Sequence, residues 1–512
     1  MRVREGLVSH GRGRLTSGLV MLAAGALLLS GCAATPARAD SESARQAESF
    51  PGVYAQTIEW EPCDDGYGLE NEQVAKLESR GADISAFQCA MVEAPLDWTK
   101  PEVHETIELA LMRDRATGDD RLGSLLLNPG GPGQSGLELG FGLGTQPGID
   151  EVREHYDLVG FDPRGIGHSS PLECEAVPAS LAVQLAYCAE SDPLANSMGT
   201  VQVARDMDLL RTLLGDDKMH YLGFSYGTML GGTYSTLFPE RIGRMVLDSA
   251  SSANWASLAD SFDQSRAIAE SMLSMLAECG GEYAVTACPA QTEEGLLEML
   301  GQLGEAPLTT SDGTQIAPGT VFGYLITALY QPVSGRELVM QNVGDALAGD
   351  QESIDQIAKS MSGGGASVNL AGTVVKCHAF PNDPDLVATI EHIEEVGVPK
   401  LLGGPELTPE LIEQFVNLSC YGLGSSGDEN LANFSGSPDA PILVFGITGD
   451  HATPYEGAVR LTEELGNARL VTLEGTGHGA SFAKRSSCAD GIATAYLVRG
   501  ELPPEGTVCT DD

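Results

Sequence analysis

The strongest constraint on the fold of this chain is a single short stretch. Gly223-Phe224-Ser225-Tyr226-Gly227 follows an apolar run, Met219 to Phe224, and precedes small and apolar residues from Thr228 to Phe238. The pattern reads as strand, sharp turn, helix, with the serine on the turn. Flanking glycines let the turn close tightly and let the helix pack against the strand. The serine is then held in a strained position, its hydroxyl exposed at a helix N-terminus. In a chain with 62 glycines such a pentapeptide is weak alone, so the rest of the sequence must supply what a serine nucleophile needs.

A serine hydroxyl attacks poorly at neutral pH without a base, and the base needs an orienting acid. On a strand–turn–helix scaffold of this kind the chain order is Ser, then Asp or Glu, then His. Asp450 follows the apolar run Ile442 to Phe445, within Gly449-Asp450-His451-Ala452-Thr453-Pro454. His478 follows Leu470 to Leu473, within Gly475-Thr476-Gly477-His478-Gly479. Ser225, His478 and Asp450 are therefore the expected nucleophile, base and acid. His451 is a rival base, but adjacent residues project differently, and one loop is not expected to place both Asp450 and His451 against Ser225. The developing oxyanion needs donors, and the backbone N–H groups of Tyr226 and Gly131 are the candidates. Gly131 lies in Asn128-Pro129-Gly130-Gly131-Pro132-Gly133, directly after the strand-like run Gly123 to Leu127. Asp162-Pro163-Arg164-Gly165, after Tyr156 to Phe161, reads as a structural tie between loops.

Strand-like runs alternate with helical spacing from Thr106 to Asp248, which implies parallel βαβ units. Alternation stops from about Asn254 to Ser437, where the patterns are mainly helical, and resumes at Ile442. The last strands have no sheet of their own, so one α/β core interrupted by a helical cap is the economical reading. The core is expected over 51–253 and 438–512, with a mainly parallel sheet, and the cap over 254–437.

Residues 1–31 read as a leader, with Arg2, Arg4, Arg12 and Arg14 before the apolar run Leu19 to Leu29. Leu29-Ser30-Gly31-Cys32 resembles a bacterial lipobox, which makes Cys32 the expected lipidation site and outer-face membrane anchor, with release to the medium as the alternative. Residues 32–50 are expected to form a flexible tether. The net charge of −43 argues against nucleic acid or anionic lipid as a partner. Apart from Cys32 there are ten cysteines, Cys63, Cys89, Cys174, Cys188, Cys279, Cys288, Cys377, Cys420, Cys488 and Cys509. An even count in an exported chain suggests disulfides. Connectivity is not readable from sequence, and pairing in chain order is the simplest arrangement. Without clustered Cys/His spacing, neither metal nor cofactor is expected.

The chain resembles secreted actinobacterial α/β-hydrolases of the tripeptidyl aminopeptidase type, related to proline iminopeptidases. The matching pieces include Trp60-Glu61-Pro62-Cys63, Asn128 to Gly136, Phe161 to Gly167, Tyr221 to Gly227, Arg241 to Asp248, Gly446 to Pro454, Gly475 to Gly479 and the segment from Cys488 to Cys509. The resemblance implies the α/β-hydrolase fold, the triad Ser225, Asp450 and His478, and release of short peptides from free N-termini. The substrate is expected to be a peptide or a small acyl compound. An esterase or lipase on the same scaffold is the alternative. A catalytically idle binding lipoprotein is disfavoured because every residue type of the triad is present. Family members often carry an acidic residue just after the cysteine equivalent to Cys377. Here the run is Cys377-His378-Ala379-Phe380, and Asp383 or Asp385 is the expected substitute for it. Mass spectrometry of freshly exported protein is expected to find diacylglyceryl-modified Cys32 at the N-terminus. An unmodified N-terminus beyond Cys32 would exclude the anchor.

Overall fold

A computed structural model describes residues 41–175, 177, 179–362, 369–429 and 431–512. The leader and Cys32 lie outside the described residues. The centre of the fold is a ten-stranded sheet. Its strands are β1 (Glu61–Pro62), β2 (Phe87–Pro95), β3 (Thr106–Asp114), β4 (Gly123–Asn128), β5 (Tyr156–Phe161), β6 (Met219–Phe224), β7 (Ile242–Asp248), β10 (Ile442–Gly449), β11 (Ala468–Thr476) and β12 (Val508–Thr510). The remaining two, β8 (Leu308–Thr309) and β9 (Gln315–Ile316), form a separate small hairpin. The order across the sheet is β1-β2-β3-β5-β4-β6-β7-β10-β11-β12. From β1 to β5 neighbours pair antiparallel, and from β5 to β12 they pair parallel.

The central strands β4 and β5 are buried along their whole length. Helices cover both faces, so these strands read as near-continuous apolar runs. β7 and β10 are neighbours in the sheet although the long helical segment separates them in sequence. Part of that segment has a core of its own, built from Met272, Leu276, Leu296, Val321, Leu325, Met340 and Val343 among others.

The described end of the expected tether, residues 41–50, contains a helix. Glu42–Ser49 is a helix, capped by Ser41 Oγ accepting from Ala44 N. Its polar side chains dock on the helix Thr200–Leu213. Gln46 Nε2 donates to Arg205 O at 2.8 Å and to Tyr54 Oη at 2.7 Å, while Arg205 Nη1 donates to Glu42 Oε1 at 2.6 Å. Composition alone suggested a solvated segment, but tertiary hydrogen bonds outweigh it.

The ten cysteines form five disulfides in chain order: Cys63–Cys89, Cys174–Cys188, Cys279–Cys288, Cys377–Cys420 and Cys488–Cys509. Such bonds belong to an oxidising compartment. Among the described residues no helix is long and apolar enough to cross a membrane.

Arg164 is the largest fully buried side chain among the described residues. Its guanidinium forks onto Asp206, Nε to Oδ2 at 2.7 Å and Nη2 to Oδ1 at 2.6 Å. It also donates to the carbonyls of Pro95, Leu96 and Ser197. The indole N–H of Trp98 reaches the same carboxylate at 2.8 Å. Asp162 accepts from Ser135 Oγ and from the His168 and Leu137 N–H groups. Removing one partner of a buried ion pair strands the other charge. Asp206→Ala is therefore expected to cost about 3–5 kcal/mol of stability, measured as a lowered urea midpoint.

Candidate active site

Ser225 follows β6 in a backbone conformation that L residues avoid, φ 56° and ψ −125°. Strain of this kind persists only where surrounding structure fixes it. Ser225 N donates to Asp248 O at 2.9 Å, and Ser225 O accepts from Thr228 N and Thr228 Oγ1. The turn has no room for side chains. A Cβ on Gly223 would lie 2.4 Å from the Tyr221 ring and 2.7 Å from Gly227 O. Gly130, at φ +98°, packs so closely that a Cβ there would lie 2.5 Å from Phe224 O and 2.8 Å from Ser225 Cβ. The glycine-rich loop after β4 therefore lies against the elbow. Ser225, Tyr226 and Gly131 all line a cavity of about 440 Å³. Tyr226 N–H is in the first turn of its helix, where amides lack intrahelical acceptors, and Gly131 N–H has no acceptor among the described residues. Both are free to meet an oxyanion.

Asp450 follows β10 with its carboxylate fully buried. Oδ1 accepts from Ala452 N at 2.9 Å, Thr453 N at 3.0 Å and His478 Nδ1 at 2.9 Å. Oδ2 lies 3.1 Å from Thr453 Oγ1 and 3.0 Å from His478 Nδ1. A carboxylate only accepts, so the His478 proton sits on Nδ1 and leaves Nε2 as the basic nitrogen. Burial alone would lower the His478 pKa. The Asp450 charge and hydrogen bond, helped by Asp248, outweigh it and raise the pKa. Burial would likewise raise Asp450, but His478 and the Thr453 N–H hold it below its ordinary range.

The loop that carries His478 is fastened to the end of β7. Ala480 N and Ser481 N donate to the Asp248 carboxylate at 2.8 and 2.7 Å, Ser481 Oγ donates to it at 2.5 Å, and Gly479 N donates to Ser249 Oγ at 2.7 Å. Asp248 thus holds the His478 loop with its side chain and the elbow with its carbonyl. Sequence reading assigned it no role, although it ends one of the quoted family segments. Among the described residues Ser225 Oγ and His478 Nε2 share no hydrogen bond, and neither atom has another partner. Such bonds are often long without substrate and tighten in the complex.

His451 is buried, and neither ring nitrogen has a partner among the described residues. Its ring meets the Tyr330 ring edge-on at 4.4 Å. Burial pushes its pKa down to about 4, and it makes no hydrogen bond to Asp450. Asp383 and Asp385 do not line the Ser225 cavity. Asp385 instead caps the helix Leu386–Val396. The carboxylates that do line it are Asp260, Asp263 and Glu456. The first two sit one helical turn apart on Leu258–Ala277, and Glu456 stands just beyond the Thr453-Pro454 motif, so neighbouring motifs gave little signal for any of them. Among the described residues no cluster of metal-ligating side chains occurs.

A family model described as alpha/beta hydrolase fold matches residues 123–277, and one described as TAP-like protein matches residues 408–509. The chain is 30% identical to the serine protease Hip1 of Mycobacterium tuberculosis, over 95% of this chain and 96% of that protein. It is 28% identical to a tripeptidyl aminopeptidase of Streptomyces lividans, over 88% and 86%. It is 29% identical to a carboxylesterase B of Mycobacterium tuberculosis, over 94% and 96%.

The raised His478 pKa fixes the sign of a pH effect. A base must be neutral in the free enzyme, and a raised pKa keeps the imidazole protonated to higher pH. Activity is then lost as pH falls through that raised value. The acid limb of kcat/KM is expected to have its midpoint above 6.5, the ordinary histidine value. A midpoint below 6.5 in the pH profile would contradict this electrostatic reading.

Proposed function

The chain is a serine hydrolase of the α/β-hydrolase family with a TAP-like C-terminal region, and from that premise we propose that it is an exported, lipid-anchored peptidase that releases short peptides from free N-termini. The observation that carries this reading is the fastening of the Asp450–His478 pair, through Asp248, to the Ser225 elbow at the wall of a cavity lined with carboxylates. In the proposed reaction Ser225 Oγ attacks the substrate carbonyl carbon while His478 Nε2 takes the hydroxyl proton. The N–H groups of Tyr226 and Gly131 hold the oxyanion. Collapse breaks the C–N bond, and the proton on Nε2 passes to the leaving amine. Water then attacks the acyl carbon, giving a proton to Nε2, and Ser225 Oγ recovers that proton as the acid leaves.

A free N-terminus is an ammonium and needs an anionic partner. Asp260 is paired with Arg460 at 3.0 Å and Asp263 with His392 at 2.9 Å. Glu456 is the one carboxylate of this cavity without a basic side chain paired to it among the described residues, which makes it the proposed site for the substrate amine. Cys32 is the proposed anchor at the outer face of the membrane. A second reading, an esterase, is favoured by the similarity to carboxylesterase B.

Three measurements test the peptidase reading together. Ser225→Ala is expected to fold and to lose about a million-fold in turnover. Acetylating the substrate N-terminus is expected to lower kcat/KM at least about tenfold, equivalent to about 1.4 kcal/mol, and Glu456→Gln to shrink that difference. Equal cleavage of free and blocked peptides would defeat the aminopeptidase claim, and faster turnover of acyl esters than of any peptide would favour the esterase.

A further inference from the structure

We infer that Lys376 receives an anionic group on the acyl portion of the substrate, such as an Asp or Glu side chain in the released peptide. The inference rests on the reading that the Ser225 cavity holds the acyl portion. The other basic side chains lining that cavity are each matched to a carboxylate. Arg460 pairs with Asp260 at 3.0 Å, Arg266 with Glu270 at 2.6 Å, and His392 with Asp263 at 2.9 Å. Lys376 is not matched. Its Nζ donates to Ser261 Oγ at 3.0 Å, and Ser261 Oγ donates to Ser257 O at 2.8 Å. An ammonium has three N–H donors, and two of these have no partner among the described residues. Asp260 attracts Lys376 from beyond ion-pair distance, and Arg460 and Asn254 both donate to its Oδ1.

The lysine is also held in place. It sits on the helix Leu370–His378, whose first turn is capped by Asn369. Asn369 Nδ2 donates to Pro132 O at 2.9 Å, which joins this helix to the glycine-rich loop beside Ser225. At its far end Cys377 is bonded to Cys420, and His378 Nε2 lies 2.9 Å from Ala195 O. Lys376 and Ser261 line a second cavity as well, of about 320 Å³, with walls that include Phe262, Phe380, Leu402 and Phe415. That chamber offers apolar contact to the stem of a side chain whose tip meets the ammonium. Burial pushes the Lys376 pKa down, as it does for a charge that lacks a close counter-ion, and an incoming carboxylate would supply one.

The test uses the mature enzyme and matched substrate pairs that differ in one charge. One pair is the 4-nitrophenyl esters of glutarate and valerate, and the others are tripeptide anilides with Glu or Gln at each acyl position in turn. The wild-type enzyme is expected to prefer the anionic member, in the ester pair or at one peptide position, by at least about fivefold in kcat/KM, expressed mainly in KM. Lys376→Met and Lys376→Gln are expected to bring that ratio to about one, and Lys376→Arg to keep most of it. A wild-type ratio of one or less, or a ratio unchanged in the Met and Gln variants, would overturn the inference. Loss of charged and neutral substrates alike in both variants would also overturn it, by making Lys376 a structural residue. If esters are cleaved and peptides are not, the peptidase reading fails while the ester pair still decides the role of Lys376.

Discussion

The carboxylate of Asp248 has no access to solvent, and the geometry of the site depends on it. A buried charge without partners is costly, so three donors from Ala480 and Ser481 are as necessary to the carboxylate as it is to them. The sheet order shows what this achieves. The strands run β6, β7, β10, β11, so the loop leaving β11 must cross the end of β10 to approach the serine at the end of β6. It is held twice on the way, at Asp450 above β10 and at Asp248 and Ser249 above β7. The carbonyl of Asp248 then fixes Ser225 N. Ser225 and the His478 loop are thereby registered against one shared residue, Asp248.

The edges of the sheet are secured by covalent bonds. Cys63–Cys89 ties the residue after β1 to β2, and Cys488–Cys509 ties β12 to the helix Ser487–Thr494. Edge strands expose unpaired backbone groups and are prone to pairing with other chains. Both terminal strands here are short, two and three residues, and each lies beside a disulfide. Cys377–Cys420 does comparable work in the helical segment, where it fixes the end of the helix that carries Lys376.

The sequence made some of this legible and hid the rest for physical reasons. β4, β5 and β6 were readable because strands buried on both faces must be apolar throughout. The relation of Asp450 to His478 was readable because each follows an apolar strand at a required station in the chain. β2 was not identified as a strand, because its antiparallel pairing with β3 gives Phe87–Pro95 a mixed pattern of buried and exposed residues. The helix Glu42–Ser49 was hidden by its polar composition, since its contacts are hydrogen bonds to Arg205, more than 150 residues away. Asp248 was hidden in a different way. A buried carboxylate at a strand end is invisible until the loop it holds is placed in space. The same is true of Asp260, Asp263 and Glu456, which come together from two helices only in the folded chain.

The place where the helical segment enters the chain carries a further implication. Ser225, Gly131, Asp248, Asp450 and His478 stand on strands of the sheet or on the turns that leave them, and Tyr226 opens the helix after β6. Asp263, Lys376 and His392 belong to the segment between β7 and β10. Of the groups proposed to meet the substrate, Lys376 lies on the inserted stretch, which joins the sheet at two crossing points, while Glu456 lies on the helix after β10. Substitution or exchange within the inserted stretch leaves the Asp248, Asp450 and His478 hydrogen bonds in place, because none of their partners lies on it. A repertoire of differently selective enzymes is accessible from one catalytic frame, and a laboratory graft between the ends of β7 and β10 would follow the same route.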